Sequence, residues 1–352
     1  MLKEKMNPQL GKIDLRDMTL SELNAWVLSL GLERFRGKQL FRWLSRRDVE
    51  SFDQMTNLKK DLRLRFSEVS YLGGLNIRRI DRSLDGTRKF LFGLDDGESV
   101  ESVLIPERDH FTLCISSQVG CAMGCRFCLT GRNGFKRNLR ASEIVNQVRT
   151  VQICLEAGER LTNLVFMGMG EPLLNYENLI RSLQILLADE GFGFSSRKTT
   201  VSTCGIVPRI EQLGKDVTVS LAVSLHAPDN ETRSLLMPVN KTYPIERLLD
   251  ACRKFPLPQR RMITFEYLLI EGVNDRPEQA RALARLLRGI RAKINLIPFN
   301  SYPGSEFIPS SPETVLTFQS VLIENHYTTI IRESKGSDIL AACGQLHSHA
   351  RD

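Results

Sequence analysis

The sequence predicts an α/β fold, a partial (β/α)6 barrel preceded by a small helical domain. From about residue 111 onward, short apolar runs of strand type alternate with helical patterns, which is typical of a parallel sheet. Only about six such units can be counted, whereas a closed barrel has about eight. The first 70 residues show helical periodicity instead.

Residues 1–70 are predicted to form the helical domain. Thr19 or Ser21 can cap a first helix. A second helix, predicted over residues 33–47, interleaves apolar and basic side chains. Its basic residues are Arg34, Arg36, Lys38, Arg42, Arg46 and Arg47. Two interpretations stay open for this face, a surface that contacts phosphates and an ordinary solvated surface, because a charge run alone is not specific.

Residues 71–110 are predicted to form β-hairpins that lead into the barrel. Runs of strand type at residues 89–93 and 99–105 are separated by the turn signals Asp85-Gly86 and Asp96-Gly97.

Residues 111–346 are predicted to form the barrel, and residues 347–352 a tail. Ser142 is expected to cap a helix that ends at Gly158. The predicted strands run from Phe111 to Ser116, Asn163 to Met167, Thr199 to Ser202, Val219 to Ser224, Met262 to Leu269, Lys293 to Pro298 and Thr328 to Arg332.

Composition narrows the cellular setting and the partners. The chain has 352 residues and a formal net charge of +7, which favours acidic partners such as nucleic acid. No apolar run approaches the roughly 20 residues that cross a bilayer, and the first residues lack the apolar core of a secretion signal. A cytoplasmic protein without a membrane partner is therefore expected. Its eight cysteines are expected to be free thiols, ligands or catalysts.

The most informative motif is CxxxCxxC, formed by Cys121, Cys125 and Cys128. A short loop with three thiolates can bind three irons of a cubane cluster and leave the fourth iron open for chemistry. The alternative is a structural zinc site, but such sites close with four ligands in paired spacings, and the sequence contains no second CxxC pair. The motif therefore favours an open iron–sulfur cluster.

This loop resembles that of the radical S-adenosylmethionine superfamily, and the longer string from Cys114 to Leu139 is similar to the RlmN family of RNA adenine methyltransferases. Further motifs resemble the same family in the same order and extend the resemblance to residues 101–346. They are Gly168-Met-Gly-Glu171-Pro, Ser224-Leu-His-Ala-Pro, Pro298-Phe-Asn300 and Ala342-Cys-Gly-Gln. The resemblance implies the radical S-adenosylmethionine type of partial barrel, and it implies that the helical domain of residues 1–70 helps to hold RNA.

The resemblance also implies the cofactors and their ligands. It assigns a 4Fe-4S cluster to the CxxxCxxC cysteines and two molecules of S-adenosylmethionine to each turnover. Glycines and a carboxylate in the Gly168–Pro172 motif suit the cofactor's ammonium group. The residues expected at the cofactor site are Gly170, Glu171, Ser202, Ser224, Leu225, His226 and Asn300.

Cys114 and Cys343 would generically be buried thiols, and the resemblance gives them catalytic roles. An adenine ring C–H is too weakly acidic for ordinary nucleophilic methylation, whereas a thiolate can take a methyl group from a sulfonium. The resemblance implies that Cys343 carries this methyl and that Cys114 releases the product by closing a transient disulfide. Glu101 matches the family's base that removes the ring proton. The role of Cys204 stays ambiguous. Cys154 and Cys252 lie in helical patterns and are expected to be small buried hydrophobic side chains.

The resemblance implies methylation of carbon 2 of an adenosine in 23S rRNA, and of the adenosine beside the anticodon of some tRNAs. It also implies an external low-potential electron donor such as flavodoxin, and a monomer is expected. Two alternatives remain, a Cfr-type enzyme that methylates carbon 8 and a metal-stabilised RNA-binding protein without activity. Val119 favours carbon 2, whereas Leu129 and the loop Gly131-Arg-Asn depart from the family pattern and leave fine substrate preference open.

Overall fold

The computed structural model describes residues 6–7 and 11–347. The N-terminal region has the strands β1 (Met6–Asn7), β2 (Lys12–Asp14) and β3 (Ser70–Tyr71) and the helices α1 (Leu20–Ser29), α2 (Phe35–Leu44) and α3 (Lys60–Val69). Helix α1 begins as predicted, because Thr19 and Glu22 form a reciprocal capping box, whereas Ser21 lies inside the helix. The apolar sides of the three helices share one buried core.

The predicted hairpins are three antiparallel strands, β4 (Asn76–Arg82), β5 (Arg88–Gly93) and β6 (Ser99–Pro106). Strand β6 pairs antiparallel with the first strand of the barrel, β7 (Phe111–Cys114). The hairpins therefore extend the barrel sheet at one edge and form one ten-stranded sheet with it.

After β7 the chain alternates between strands and helices. A small hairpin of β8 (Gln118–Gly120) and β9 (Phe135–Asn138) encloses α4 (Leu129–Arg132). The remaining elements are α5 (Ala141–Ile153), β10 (Leu161–Phe166), α6 (Tyr176–Leu187), β11 (Thr199–Thr203), α7 (Val207–Asp216), β12 (Ser220–Ser224), α8 (Asn230–Leu236), α9 (Ile245–Lys254), β13 (Ile263–Leu269), α10 (Pro277–Leu286), β14 (Ala292–Pro298), α11 (Pro312–Glu324) and β15 (Thr328–Ile331).

Strands β7 and β10 to β15 are parallel neighbours in chain order. All seven predicted strands are present, and their ends differ from prediction by at most two residues. Because the strands are parallel, their carboxyl ends meet at one edge of the sheet, where (β/α) folds place their chemistry. Within the described residues, no helix combines the length and the apolar character needed to cross a membrane.

The start of α5 was predicted incorrectly. The N-cap is Arg140, and Glu143 accepts hydrogen bonds from its backbone and side chain, so Ser142 lies within the first turn. The backbone N–H of Ser142 instead donates to Asp17, at 2.7 Å, which fastens the N-terminal region to the barrel. A long-range carboxylate has thus replaced the local serine cap.

Candidate active site

One cavity at the carboxyl edge of the sheet brings together most of the predicted site residues. Those that line it are Cys114, Cys121, Cys125, Cys128, Gly170, Glu171, Ser202, Ser224, His226, Asn300 and Cys343. Glu101 and Leu225 do not line it. Residues more than 200 positions apart in the chain therefore share one space, as the strand-end rule requires.

Close backbone contacts hold the loop of the three cysteines at the mouth of this cavity. The N–H of Cys121 donates to the carbonyl of Gly134 at 2.9 Å, and the N–H of Leu129 donates to the carbonyl of Gly344 at 2.7 Å. Gly120 adopts φ +73°, and a Cβ there would overlap the Gly134 carbonyl oxygen. A glycine is therefore required directly before Cys121.

The three thiols lie near one another but not around one point. Burial raises the pKa of Cys125 well above its ordinary value, and the neighbouring Cys128 and Cys121 raise it further. Among residues 6–7 and 11–347, no three or more His, Cys, Asp or Glu side chains are grouped to hold one metal ion. A cubane takes one thiolate at each of three irons, so three neighbouring thiols on one loop suit a cluster.

Glu171 is fixed by backbone donors on both carboxylate oxygens. Its Oε1 accepts from the N–H of Leu173 at 3.1 Å, and its Oε2 accepts from the N–H of Cys204 at 2.8 Å. Burial nevertheless raises the pKa of this carboxyl. Its own N–H donates to Oε1 of Gln118 at 2.8 Å. The carboxylate is thus held in one orientation where it lines the cavity.

The predicted reason for the glycines in the Gly168–Pro172 motif was incomplete. A Cβ on Gly168 would lie 2.7 Å from Oγ of Ser116, and one on Gly170 would lie 2.5 Å from Cβ of Gln118. Gly170 also has φ +97°. These glycines permit close packing of two loops, the one after β10 and the one after β7, in addition to leaving room for a ligand.

His226 is a buried, neutral imidazole. Its Nδ1 accepts from the N–H of Leu268 at 3.0 Å, which leaves the ring proton on Nε2. Burial, assisted by the charge of Arg233, lowers the pKa of His226 to about 3. The ring of Phe127 stands edge-on to it, with centroids 4.8 Å apart. Because Phe127 belongs to the cysteine loop, this contact joins that loop to the end of β12.

Cys114 and Cys343 meet across the cavity from different ends of the chain. Cys114 ends β7, and the charge of Cys343 is among the groups that raise its pKa, after burial. Cys343 is exposed, and its accessible surface faces the cavity. Although the residue as a whole is exposed, its thiol is surrounded by protein atoms, and this desolvation raises its pKa, whereas the charge of Arg332 lowers it. All eight cysteines have free thiols in this structure.

The side chain of Asn300 holds the loop that carries Cys343. Its Nδ2 donates to the Cys343 carbonyl at 3.3 Å, and its Oδ1 accepts from Oγ of Ser334 at 2.5 Å. Gln345 fastens the same loop by donating to the carbonyl of Ser301 at 2.8 Å. The position of Cys343 is therefore set by residues that follow β14 and β15.

The two predicted residues outside the cavity lining are buried close to it. Glu101 is 1% exposed and lies on β6, two residues before the lining residue Val103. Leu225 is fully buried, and its N–H donates to the Glu266 carbonyl at 3.0 Å. Its carbonyl accepts from Arg233 at 3.2 Å, so its side chain packs and its backbone links two elements.

Several charged residues of the site were missed from sequence, among them Arg233, Glu266 and Arg332. Arg233 is fully buried, and it donates to the carbonyls of Cys204, at 2.7 Å, and Ser224, at 3.2 Å. Glu266 and Arg332 line the cavity. A glutamate inside the apolar strand β13 and an arginine directly after β15 were detectable signals, whereas nothing local marks Arg233.

Two family models match the chain. One, described as the Radical SAM superfamily, matches residues 115–284, and another, described as the Ribosomal RNA large subunit methyltransferase N-terminal domain, matches residues 13–72. The dual-specificity RNA methyltransferase RlmN of Syntrophus aciditrophicus (strain SB) is 52% identical over 341 residues, which cover 97% of this chain and 98% of the relative. That of Geobacter sulfurreducens is 53% identical over 334 residues, 95% of this chain and 92% of the relative.

A solved structure agrees with these matches. The crystal structure of a radical SAM methyltransferase from Sphaerobacter thermophilus superposes with a TM-score of 0.90 at 45% sequence identity. The superposition covers 96% of this chain and 99% of that one. The similarity therefore extends over both the helical region and the barrel.

Proposed function

The chain belongs to the RlmN family of radical S-adenosylmethionine RNA methyltransferases, and from this premise we propose that it methylates carbon 2 of adenosine in 23S rRNA and beside the anticodon of some tRNAs. One observation carries the proposal: two thiols, Cys114 and Cys343, open into the same cavity as the three cysteines of the cluster loop. Methylation at an unactivated ring carbon needs such a pair, one thiol to carry the carbon and one to release it.

The cofactors of this family are a 4Fe-4S cluster and S-adenosylmethionine. When bound, they supply the methyl group and, after one-electron reduction, a radical that abstracts a hydrogen atom. The residues present fit them, since three mutually close thiols stand at the mouth of a cavity with a fixed carboxylate. We infer that Cys121, Cys125 and Cys128 bind the cluster.

We assign cofactor binding to the polar groups that face this space. Glu171, with both oxygens held by backbone donors, presents its remaining lone pairs to the cofactor's ammonium group. Ser202 and Ser224 line the cavity at neighbouring strand ends, beside Gly170. His226 offers Nε2–H as a donor at any pH well above 3. Asn300 acts chiefly through the Cys343 loop, and Leu225 through its backbone.

In the proposed reaction, Cys343 accepts the methyl group on sulfur and carries it to the adenine ring. Glu101 then accepts the ring proton, and the unpaired electron that remains on the adduct would return to the oxidised cluster that the three loop cysteines hold. Cys114 attacks the sulfur of Cys343, so that an S–S bond forms and the bond from that sulfur to carbon breaks. The electron pair of the broken bond goes to the carbon, which takes up a proton and completes the new methyl group. The disulfide is thus transient, and reduction restores both thiols.

Mass spectrometry of nucleosides tests the proposal. 23S rRNA and tRNA lacking the modification are incubated anaerobically with reconstituted protein, S-adenosylmethionine and flavodoxin as the low-potential electron donor. We expect 2-methyladenosine, and its loss in each Cys→Ala variant of the cluster loop. Formation of 8-methyladenosine instead would identify a Cfr-type enzyme. RNA binding without any methylated product would support the alternative of an RNA-binding protein without activity.

A further inference from the structure

Register places Glu101 on the same sheet face as a row of paired residues that crosses four strands. Lys89 on β5 faces both Asp81 on β4 and Val103 on β6, and Val103 faces Cys114 on β7. Paired residues of neighbouring strands point to the same face of a sheet. Glu101, two residues from Val103 on β6, therefore lies on the face that carries Cys114.

Glu101 is enclosed by three contacts. Lys89 Nζ lies 3.2 Å from Oε1, and Oε2 accepts from the backbone N–H of His347 at 2.9 Å. The sulfur of Met169 accepts from the N–H of Glu101 itself at 3.4 Å. The carboxyl is 1% exposed, so bulk water does not stabilise its charge.

Lys89 is the cation that compensates this burial. Its side chain is 3% exposed and also lies 3.9 Å from Oδ2 of Asp81 and 3.4 Å from the Leu340 carbonyl. It lines a second cavity together with Arg79, Asp81 and His347. The buried base thus has one direct cationic partner among the described side chains.

We propose that Lys89 is the positioning residue of the base: it holds Glu101 ionised and oriented in a buried site, ready to accept the proton of the adenine adduct. The proposal rests on the role proposed above for Glu101. In the step concerned the ring C–H bond breaks, the proton moves to a Glu101 oxygen, and the electron pair stays in the ring. Lys89 takes no part in bond making.

The electrostatics favour this role. Burial raises the pKa of Glu101, and the charge of Lys89 is the largest influence that lowers it, followed by His347. Asp81 faces Lys89 from β4 and is itself paired with Arg79, whose Nε lies 3.1 Å from Asp81 Oδ1. Burial outweighs these groups even with Lys89 present, so the pKa of Glu101 is raised; removal of Lys89 should raise it further and favour the protonated carboxyl, which cannot accept a proton.

The test compares Lys89→Met, Lys89→Arg and Arg79→Gln as reconstituted full-length enzymes. The measured quantity is the rate of product release from the covalent protein–RNA adduct as a function of pH. For Lys89→Met we expect a profile shifted upward by about one to three pH units, a release rate at neutral pH at least about tenfold lower, and recovery at high pH. Lys89→Arg should keep the wild-type profile, and so should Arg79→Gln, which removes a cation from the same cavity without touching Glu101.

Two further measurements keep the test decisive. Iron content and cofactor cleavage without RNA report whether Lys89→Met has folded. In the wild-type protein, the infrared carboxyl band that Glu101→Gln abolishes should be that of a carboxylate at neutral pH, and a protonated band there would overturn the inference. A wild-type profile in folded Lys89→Met would also overturn it.

Glu101→Gln tests the proposed role of Glu101 as the base separately from the proposed role of Lys89. It should block release at every pH. If it releases product normally, the role of Glu101 as base is wrong. If it blocks release while Lys89→Met behaves as wild type, Glu101 stays the base and only the role of Lys89 is wrong.

Discussion

The backbone N–H of Cys204 donates to Oε2 of Glu171 across 2.8 Å, joining the end of β11 to the loop that follows β10. The backbone N–H of Leu173 donates to the other oxygen, Oε1, so both carboxylate oxygens accept from backbone groups whose positions are fixed by the fold. The orientation of Glu171 is therefore set by the fold, before any ligand binds. If Glu171 binds the cofactor's ammonium group, as proposed above, this preorganisation reduces the entropy that cofactor binding must overcome.

Glu171→Gln should disrupt the site although the side chains have the same shape. Whichever way the amide is turned, its NH2 group meets a backbone N–H, of Cys204 or of Leu173, and both groups are donors. We expect a stability loss of about 1–3 kcal/mol and weaker binding of S-adenosylmethionine. Denaturant titration and equilibrium binding measure the two effects. Unchanged affinity in a folded variant would contradict the assignment of the ammonium group to Glu171.

Gly170→Ala should separate the two loops that meet behind Glu171. Its Cβ would lie 2.5 Å from Gln118 Cβ, and φ there is +97°. Gly158→Ala is a matched control, since Gly158 has φ +89° but a Cβ added there would meet no atom within 4 Å. Both variants should lose about 1–3 kcal/mol from backbone strain. Only Gly170→Ala should lose more than that and bind the cofactor more weakly. Equal losses would show that the loop contact is easily relaxed.

Much of the fold was predictable because its signals are local. Apolar runs between turn residues located all seven parallel strands, and Thr19 with Glu22 marked the start of α1. The start of α5 was wrong because its decisive contact, from Asp17 to the N–H of Ser142, crosses 125 positions of the chain. A serine before an apolar stripe indicates a cap only when no distant carboxylate takes that place.

The sequence predicted that most of the candidate residues would line one cavity, but it did not predict the contacts that position them. The resemblance supplied the residues, and strand-end logic predicted that they meet. Neither source predicted that Asn300 holds the Cys343 loop. Neither predicted that Arg233 donates hydrogen bonds to backbone carbonyls at the ends of β11 and β12. Such contacts depend on three-dimensional packing, and no periodicity or spacing encodes them. Glu266 and Arg332 were recoverable, as charges in or directly after apolar strands.

His226 should make stability depend on pH in the acidic range. Its folded pKa of about 3 lies below its ordinary value of 6.5, so between these values the unfolded chain binds a proton that the folded chain does not bind. Stability should therefore fall with decreasing pH by up to about 1.4 kcal/mol per unit from this residue. His226→Asn keeps an acceptor for the Leu268 N–H and suits φ 58°, and it should remove this contribution.

Denaturant titrations of the metal-free protein between pH 4 and 7 measure the effect. His326→Asn is the matched control, because His326 is exposed and also has a positive φ. Its profile should follow that of the wild type. A His226→Asn profile as steep as the wild type would show that other groups cause the acid sensitivity.

The basic residues in and beside α2 differ in whether they form an ion pair with a carboxylate. Lys38 pairs with Glu190 at 3.0 Å and Arg46 with Asp48 at 2.8 Å, whereas Arg34 and Arg42 are exposed without an ion pair to a side chain among the described residues. Arg34→Gln with Arg42→Gln should therefore lower the slope of log affinity against log salt by up to about 0.7–0.9 per lost phosphate contact. Lys38→Gln should lower it less.

RNA binding measured across a salt series gives these slopes. Cofactor cleavage without RNA should survive in both variants, because the helix lies outside the residues that line the cavity. An unchanged slope in the double variant would show that this face is an ordinary solvated surface.

The sharpest prediction assigns different roles to two residues of the same type. Cys343 faces the cavity and Cys114 is buried at the end of β7, so substrate can reach the first thiol more readily than the second. If Cys343 carries the methyl group, Cys343→Ala should accept no methyl and form no link to RNA. Cys114→Ala should accept the methyl, add to adenine and then stall, because no second thiol is present to attack the sulfur. Purification of both variants under denaturing conditions, followed by nuclease digestion and mass spectrometry, detects attached nucleotide.

Cys252→Ala is the matched control, since Cys252 is buried on α9 outside the cavity lining, and it should turn over without accumulating an adduct. Nucleotide on neither variant, or on Cys343→Ala instead, would show that the roles are wrong even if methylation proceeds.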